Sequence, residues 1–261
     1  MRIDVHTHAF HPKIAAKVLK QLEDHYGTHP VGTGIIEDLL SRLCKGAFDM
    51  AVLLCAATSP GQVRPANRYA LQLQQQFPQI IAFGTIHPAF EQWEEELTWL
   101  KQAGIRGIKL HPEFQNFWLN DPRLLPIFEH AQDDFIFEIH IGDRKTPEQN
   151  PSCPYKLAAL LDAFPRLQVI AAHLGGYQQW QHSLKALVGR ELWLESSSSM
   201  AFINDEELRA IVSGHPRERL LFGSDYPLYD PFEAFCHVQQ RTAFSDAEME
   251  ALLDNGKKLF C

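Results

Sequence analysis

A (β/α)8 barrel is the fold this sequence predicts, on three observations. Apolar runs with strand character recur eight times, segments with helical spacing lie between them, and polar residues able to do chemistry gather where the runs end. The runs fall near residues 2–6, 49–55, 79–86, 105–110, 135–140, 167–173, 191–197 and 219–225. Helical spacing of apolar residues is read in the segments 64–77, 93–103, 124–133, 154–164 and 205–212. Runs such as Met50-Ala51-Val52-Leu53-Leu54 are apolar almost throughout, as expected of parallel strands buried on both faces. An open, doubly wound sheet would share that alternation. The count of eight favours the barrel, and a chain of 261 residues is close to the roughly 250 typical of that fold. No linker or low-complexity tract interrupts the pattern, so residues 1–261 are expected to form one barrel domain.

Taken in order, the first run reads Ile3-Asp4-Val5-His6-Thr7-His8. Strict alternation of side chains would put Asp4, His6 and His8 on one face, turned into the barrel. A shared metal would explain two inward imidazoles at a strand end, but a solvated pair fits His-Xaa-His equally well. The third run closes as Thr85-Ile86-His87-Pro88, placing His87 at the expected pocket rim. In the fourth, Gly107, Lys109 and His111 share a face, with Glu113 and Gln115 continuing into the loop beyond. The fifth delivers Glu138 and then His140, followed by the loop Gly142 to Ser152 with Arg144 near its start. The sixth ends at His173. The eighth ends Gly223-Ser224-Asp225, a carboxylate at the same height with a small residue leaving room below it.

Any one of these histidines reads first as a hydrogen-bonded core residue. Four histidines and an aspartate at the ends of runs one, five, six and eight instead suit a borderline cation that takes nitrogen and carboxylate ligands. His11, His25, His29, His130, His182, His215 and His237 lie in helical or loop patterns and read as ordinary. Phe10, Phe114, Phe117, Trp118, Tyr177 and Tyr226, near strand ends, are candidates for an apolar wall around a small substrate.

The formal net charge of −8 argues against a broad phosphate-binding surface, hence against nucleic acid as a partner. Five cysteines, at 44, 55, 153, 236 and 261, are an odd number without CxxC spacing and fit reduced thiols in a cytoplasmic protein. No apolar run is long enough to span a bilayer, and no signal core precedes the first run. A small molecule is the expected partner; self-association into a homo-oligomer is left open.

Five motifs in this order, His6-Thr7-His8, Gly107-Ile108-Lys109-Leu110-His111-Pro112, His140, His173-Leu174-Gly175-Gly176 and Gly223-Ser224-Asp225-Tyr226-Pro227, resemble the amidohydrolase superfamily over nearly the whole chain. The likeness is to its branch of aminocarboxymuconate-semialdehyde decarboxylase-like enzymes and lactone-cleaving hydrolases. The resemblance implies that His6, His8, His140 and Asp225 bind one divalent metal, zinc first, with manganese or iron(II) also accepted by the set. It further implies that His173 and Asp225 are catalytic, moving protons beside a water acidified by the metal. Lys109 falls where some members carry a carboxylated lysine bridging two metals; the branch usually works with one, so Lys109, His111 and Arg144 are expected to meet the substrate. Asp4 and Glu138 are candidates to hold the free ring nitrogens of the ligands.

Hydrolysis of a lactone, cyclic amide or related bond is the leading expectation, with non-oxidative decarboxylation of an unsaturated or aromatic acid as the alternative. A metal-dependent deoxyribonuclease is disfavoured because Lys109 and His111, not a glutamate, occupy the end of the fourth run. A non-catalytic barrel is disfavoured by ligands intact at four strand ends.

Overall fold

The computed structural model describes residues 1–260; Cys261 lies outside them. Eight parallel strands follow one another around a single sheet in chain order: β1 (Ile3–Thr7), β2 (Met50–Leu53), β3 (Ile80–Thr85), β4 (Gly107–Leu110), β5 (Ile136–Ile139), β6 (Gln168–Ala171), β7 (Trp193–Glu195) and β8 (Leu220–Leu221). Every expected strand is present, and all but β1 are shorter than their apolar runs. Closure back to β1 is made by backbone bonds past the end of β8: Val5 N–H to Phe222 O at 2.9 Å, Asp225 N–H to His6 O at 2.9 Å and His8 N–H to Tyr226 O at 2.8 Å. The fold is the expected (β/α)8 barrel.

Helices connect the strands, and the five read from spacing are found at Val63–Gln76, Trp93–Gln102, Leu125–Ala131, Pro154–Ala163 and Asp205–Gly214. Spacing did not find Pro12–Tyr26, Ile36–Lys45, Pro231–Thr242 or Asp246–Phe260. Two of these carry end signals that could have found them. Pro12 opens the first and Gly27, at φ 69°, closes it in the left-handed conformation. Asp230 caps the third by accepting from Phe232 N–H and Glu233 N–H. No helix among the described residues is long and apolar enough to cross a membrane.

Two apolar clusters divide the work of the barrel. The larger joins outward residues such as Ala51, Leu53, Ile108, Phe137, Val169 and Phe222 to the helices. The smaller, Ile3, Val5, Val52, Leu54, Phe83, Ile136, Ile170 and Leu221, fills the barrel floor. Gly107 faces that floor, because a Cβ on it would lie 2.2 Å from the Phe83 ring. Above the floor the interior becomes polar: Lys109, Glu138 and Glu195 are each 1% exposed or less.

The first strand corrects the simple alternation. Asp4 pairs with Ala51, but Thr7 pairs with Leu53, so β1 holds one extra residue between them. Ile3 and Val5 therefore belong to the floor while His6 also turns inward, and Asp4 sits with the outward register of Ala51. The Asp4 carboxylate accepts from the backbone N–H of His6 at 3.1 Å and of Ser224 at 3.0 Å. It braces the β1–β8 seam rather than a histidine ring.

Candidate metal centre and active site

Two strand ends, β1 and β8, bring His6, His8 and Asp225 together. His6 Nε2 and His8 Nε2 are 3.2 Å apart, and each is 3.4 Å from Asp225 Oδ1. What faces the other ring nitrogens fixes where the protons are. His8 Nδ1 lies 3.0 Å from the Leu54 carbonyl, which can only accept, so Nδ1 carries the proton and Nε2 a lone pair. His6 Nδ1 lies 2.8 Å from Glu138 Oε1 and 3.0 Å from Glu195 Oε1, so its proton sits there as well. His6 Nε2, the His8 Nε2 lone pair and a carboxylate oxygen thus converge on one point. Such a convergence calls for positive charge, either a proton on His6 Nε2 or a metal ion in its place, and nitrogen with carboxylate oxygen is the donor set zinc takes.

A second pair behaves alike. His140 Nε2 donates to Gly142 O at 2.9 Å and His173 Nδ1 donates to Ser197 O at 3.0 Å. Their remaining nitrogens, His140 Nδ1 and His173 Nε2, face each other at 2.9 Å. The His173 ring is 5.3 Å from that of His6, so the two pairs are neighbours. His140 nevertheless lies outside the His6–His8–Asp225 trio.

A separate grouping of His111, Glu113 and His140 has three potential ligand atoms close together. The His111 and His140 rings stack at 3.9 Å with a 12° tilt, so their in-plane lone pairs run side by side instead of converging. His140 Nε2, the atom nearer Glu113, is already a donor to Gly142. This grouping is better described as a hydrogen-bonded wall.

Electrostatics follow the same division. Burial and Lys109 oppose charge on His6, yet Glu195, Glu138 and Asp225 outweigh them and hold its imidazole up to about 10. Burial lowers His8, pushes His140 far below the usual imidazole range and brings His173 down to about 4, leaving those rings neutral. Burial alone would raise Asp225, but His6 and the neighbouring imidazoles keep it well below the ordinary carboxylate range. Neutral His8, His140 and His173 beside an ionised Asp225 are in the protonation states a metal requires, whereas the acidic surroundings of His6 favour positive charge there, which a proton or a metal ion at Nε2 would supply.

Glu138 stands beside His6 as expected, and Lys109 Nζ is 3.5 Å from the same carboxylate oxygen. Lys109 is buried beneath the histidines rather than open to the mouth. His111 Nε2 meets Tyr26 Oη at 3.1 Å. Arg144 is exposed and donates to Tyr26 O at 2.8 Å. His87 donates to Gln115 O, tying the β3 exit to the loop after β4. Among the expected aromatics, Phe10 stacks on His8, Phe114 on His111, and Tyr177 lies against His140 and His173. Tyr226 turns away to donate to Asp38, and Trp118 is exposed under Lys156.

Three contributors escaped the sequence reading. Glu195, at the end of β7, accepts from His6 Nδ1, His173 N–H and both the N–H and Oγ of Ser197. A charged residue inside a strand buried on both faces was the available signal. Gly223 leaves its space, since a Cβ there would lie 2.3 Å from Glu195 Oε2. The serines after β7 had no signal; Ser197 Oγ touches His6 Nδ1 at 3.1 Å and His173 Nδ1 at 2.9 Å. Tyr26 ends a helix that spacing had not found.

Residues 3–260 match the family model described as amidohydrolase. No curated protein sequence matches significantly. Among solved structures, a putative 2-pyrone-4,6-dicarboxylic acid hydrolase from Pseudomonas putida is 21% identical, with TM-score 0.69 over 99% of this chain and 97% of that one. The 5-carboxyvanillate decarboxylase from Sphingomonas paucimobilis is 15% identical, with TM-score 0.70 over 99% and 98%. The 2,6-dihydroxybenzoate decarboxylase from Rhizobium is 15% identical, with TM-score 0.72 over 99% and 98%. At these identities the likeness is one of fold.

Proposed function

The chain belongs to the amidohydrolase family of enzymes, and on that premise we propose that it is a metal-dependent hydrolase of a small lactone, cyclic amide or related bond. One observation carries the reading: His6 Nε2, His8 Nε2 and Asp225 Oδ1 converge within 3.4 Å of one another. These three hold one divalent ion, zinc by donor type, with His140 as the fourth ligand. When bound, such an ion polarises a carbonyl and lowers the pKa of a water towards about 7.

The chain's own groups supply the rest. His173, neutral and with Nε2 free of its own proton, accepts the proton that water loses as its oxygen bonds to the carbonyl carbon. That proton passes to the departing oxygen or nitrogen as the ring bond breaks. Asp225, buried and ionised, serves as both ligand and proton relay. Glu138 and Glu195 keep the His6 tautomer fixed. Phe10, Phe114 and Tyr177 form the apolar wall, with His111 and Arg144 as polar contacts at its edge. Lys109 supplies a buried positive charge from below.

Decarboxylation is the alternative. The same ligand set serves it, and two of the fold neighbours above are named as decarboxylases. It requires a cation for the substrate carboxylate, and Arg144 would have to exchange the Tyr26 carbonyl for it.

Metal analysis by plasma emission spectrometry, paired with a panel of lactones, cyclic amides and aromatic acids, tests the proposal. One equivalent per chain and ring opening are expected. Carbon dioxide release without ring opening would move the assignment to the alternative. Two equivalents would make Lys109 a bridging ligand, and none after metal is supplied would overturn the reading.

A further inference from the structure

The loop after β7 reads Ser196-Ser197-Ser198-Ser199, and its third hydroxyl reaches the centre directly. Ser198 Oγ lies 2.5 Å from Asp225 Oδ2. An ionised carboxylate can only accept, so the hydroxyl donates and one lone pair of Oδ2 is engaged. The other oxygen, Oδ1, is the one 3.4 Å from both His6 Nε2 and His8 Nε2. We infer that Ser198 is a positioning residue that locks the Asp225 carboxylate so that it offers the metal a single oxygen. The inference rests on the assignment of Asp225 as a ligand.

Both ends of this contact are held by backbone that side-chain-bearing residues seldom adopt. Ser198 has φ 50° and Asp225 has φ 67°, both left-handed. On the loop side, Ser197 N–H is anchored on Glu195 Oε2 at 2.7 Å, and Ser199 Oγ donates to Ser197 O at 3.0 Å. On the strand side, Asp225 N–H is anchored on His6 O at 2.9 Å and Asp225 O accepts from Leu228 N–H at 2.8 Å. Neither partner is free to drift, so the hydroxyl meets a carboxylate of fixed orientation.

The chemical consequence is coordination number. A carboxylate free to turn about its Cβ–Cγ bond can bind a dication through two oxygens, which fills one further position. Catalytic centres depend on a position left open for water or substrate. With Oδ2 occupied by Ser198, Asp225 contributes one bond and that position stays open.

Cobalt(II) in place of the native ion reports this without recourse to turnover, because its visible bands weaken as coordination number rises. Ser198→Ala and Ser198→Gly both remove the hydroxyl, and glycine accepts the positive φ, so backbone strain does not confound the pair. Both cobalt-loaded variants should show visible absorption weaker than wild type, with cobalt affinity reduced about 10- to 100-fold, the range for losing an outer hydrogen-bond partner of a ligand. If the alanine variant fails to fold, the glycine variant carries the test. Variants with wild-type spectrum and affinity would overturn the lock while leaving the metal assignment standing. A wild-type chain that takes up no cobalt would overturn the metal assignment, and the lock with it.

Discussion

Removing the carboxylate of Glu195 tests the scaffold beneath the centre, and the structure sets the size of the effect. Oε1 accepts from His6 Nδ1 at 3.0 Å, His173 N–H at 2.8 Å and Ser197 Oγ at 2.7 Å, and Oε2 accepts from Ser197 N–H at 2.7 Å. In Glu195→Ala, His6 keeps Glu138 at 2.8 Å and the Ser197 hydroxyl can rotate, but two buried backbone N–H groups are stranded. At about 1–3 kcal/mol for each stranded donor, the loss is about 2–6 kcal/mol. Glu195→Gln keeps the shape and an acceptor at Oε1, while its amide nitrogen meets only the Ser197 N–H, for a loss of about 1–3 kcal/mol. Urea unfolding of chelator-treated protein, followed by far-ultraviolet circular dichroism, measures both. The expected order is wild type, then Gln, then Ala. Equal losses in the two variants, or an alanine variant as stable as wild type, would refute this account of Glu195 as the acceptor that holds the two loops.

Two further expectations concern the ligands and the floor. His140→Ala should lose metal, whereas His173→Ala should retain most metal and lose turnover; metal loss in the second, read by plasma emission, would make His173 a ligand. Gly107→Ala places a Cβ against the Phe83 ring and should destabilise the barrel by about 1–3 kcal/mol, seen as a lower midpoint of thermal unfolding. Adding Phe83→Leu should restore part of that loss, and a double variant that simply sums the two losses would argue against the clash.

Period and position made the barrel legible. Eight apolar runs placed eight strands, and each candidate ligand was found where a run stopped, so the histidines and Asp225 could be named from the chain alone. The bulge in β1 could not, because one extra residue in a strand leaves no trace in a five-residue pattern, and Asp4 was assigned to the wrong face as a result. Glu195 was legible but overlooked. Ser197 and Ser198 were not legible, since their contacts depend on how the loop after β7 is folded, including left-handed backbone at Ser198 that no local preference of serine specifies. Tyr26 shows a third kind of gap: its role comes from where a connecting helix ends, and helix ends are set by caps rather than by periodicity.

The seam between the first and last strands has a consequence for how the molecule assembles. Asp4 accepts from Ser224, 220 residues further along the chain, and the centre itself is split across that seam, with His6 and His8 on one side and Asp225 on the other. Loop closure over such a separation is entropically costly and is recovered only once the intervening strands are in place. On the proposed ligand set an ion would bridge the seam and bind the closed ring and not its open precursors, so adding metal should slow the opening of the finished protein more than it speeds the formation of any half of it.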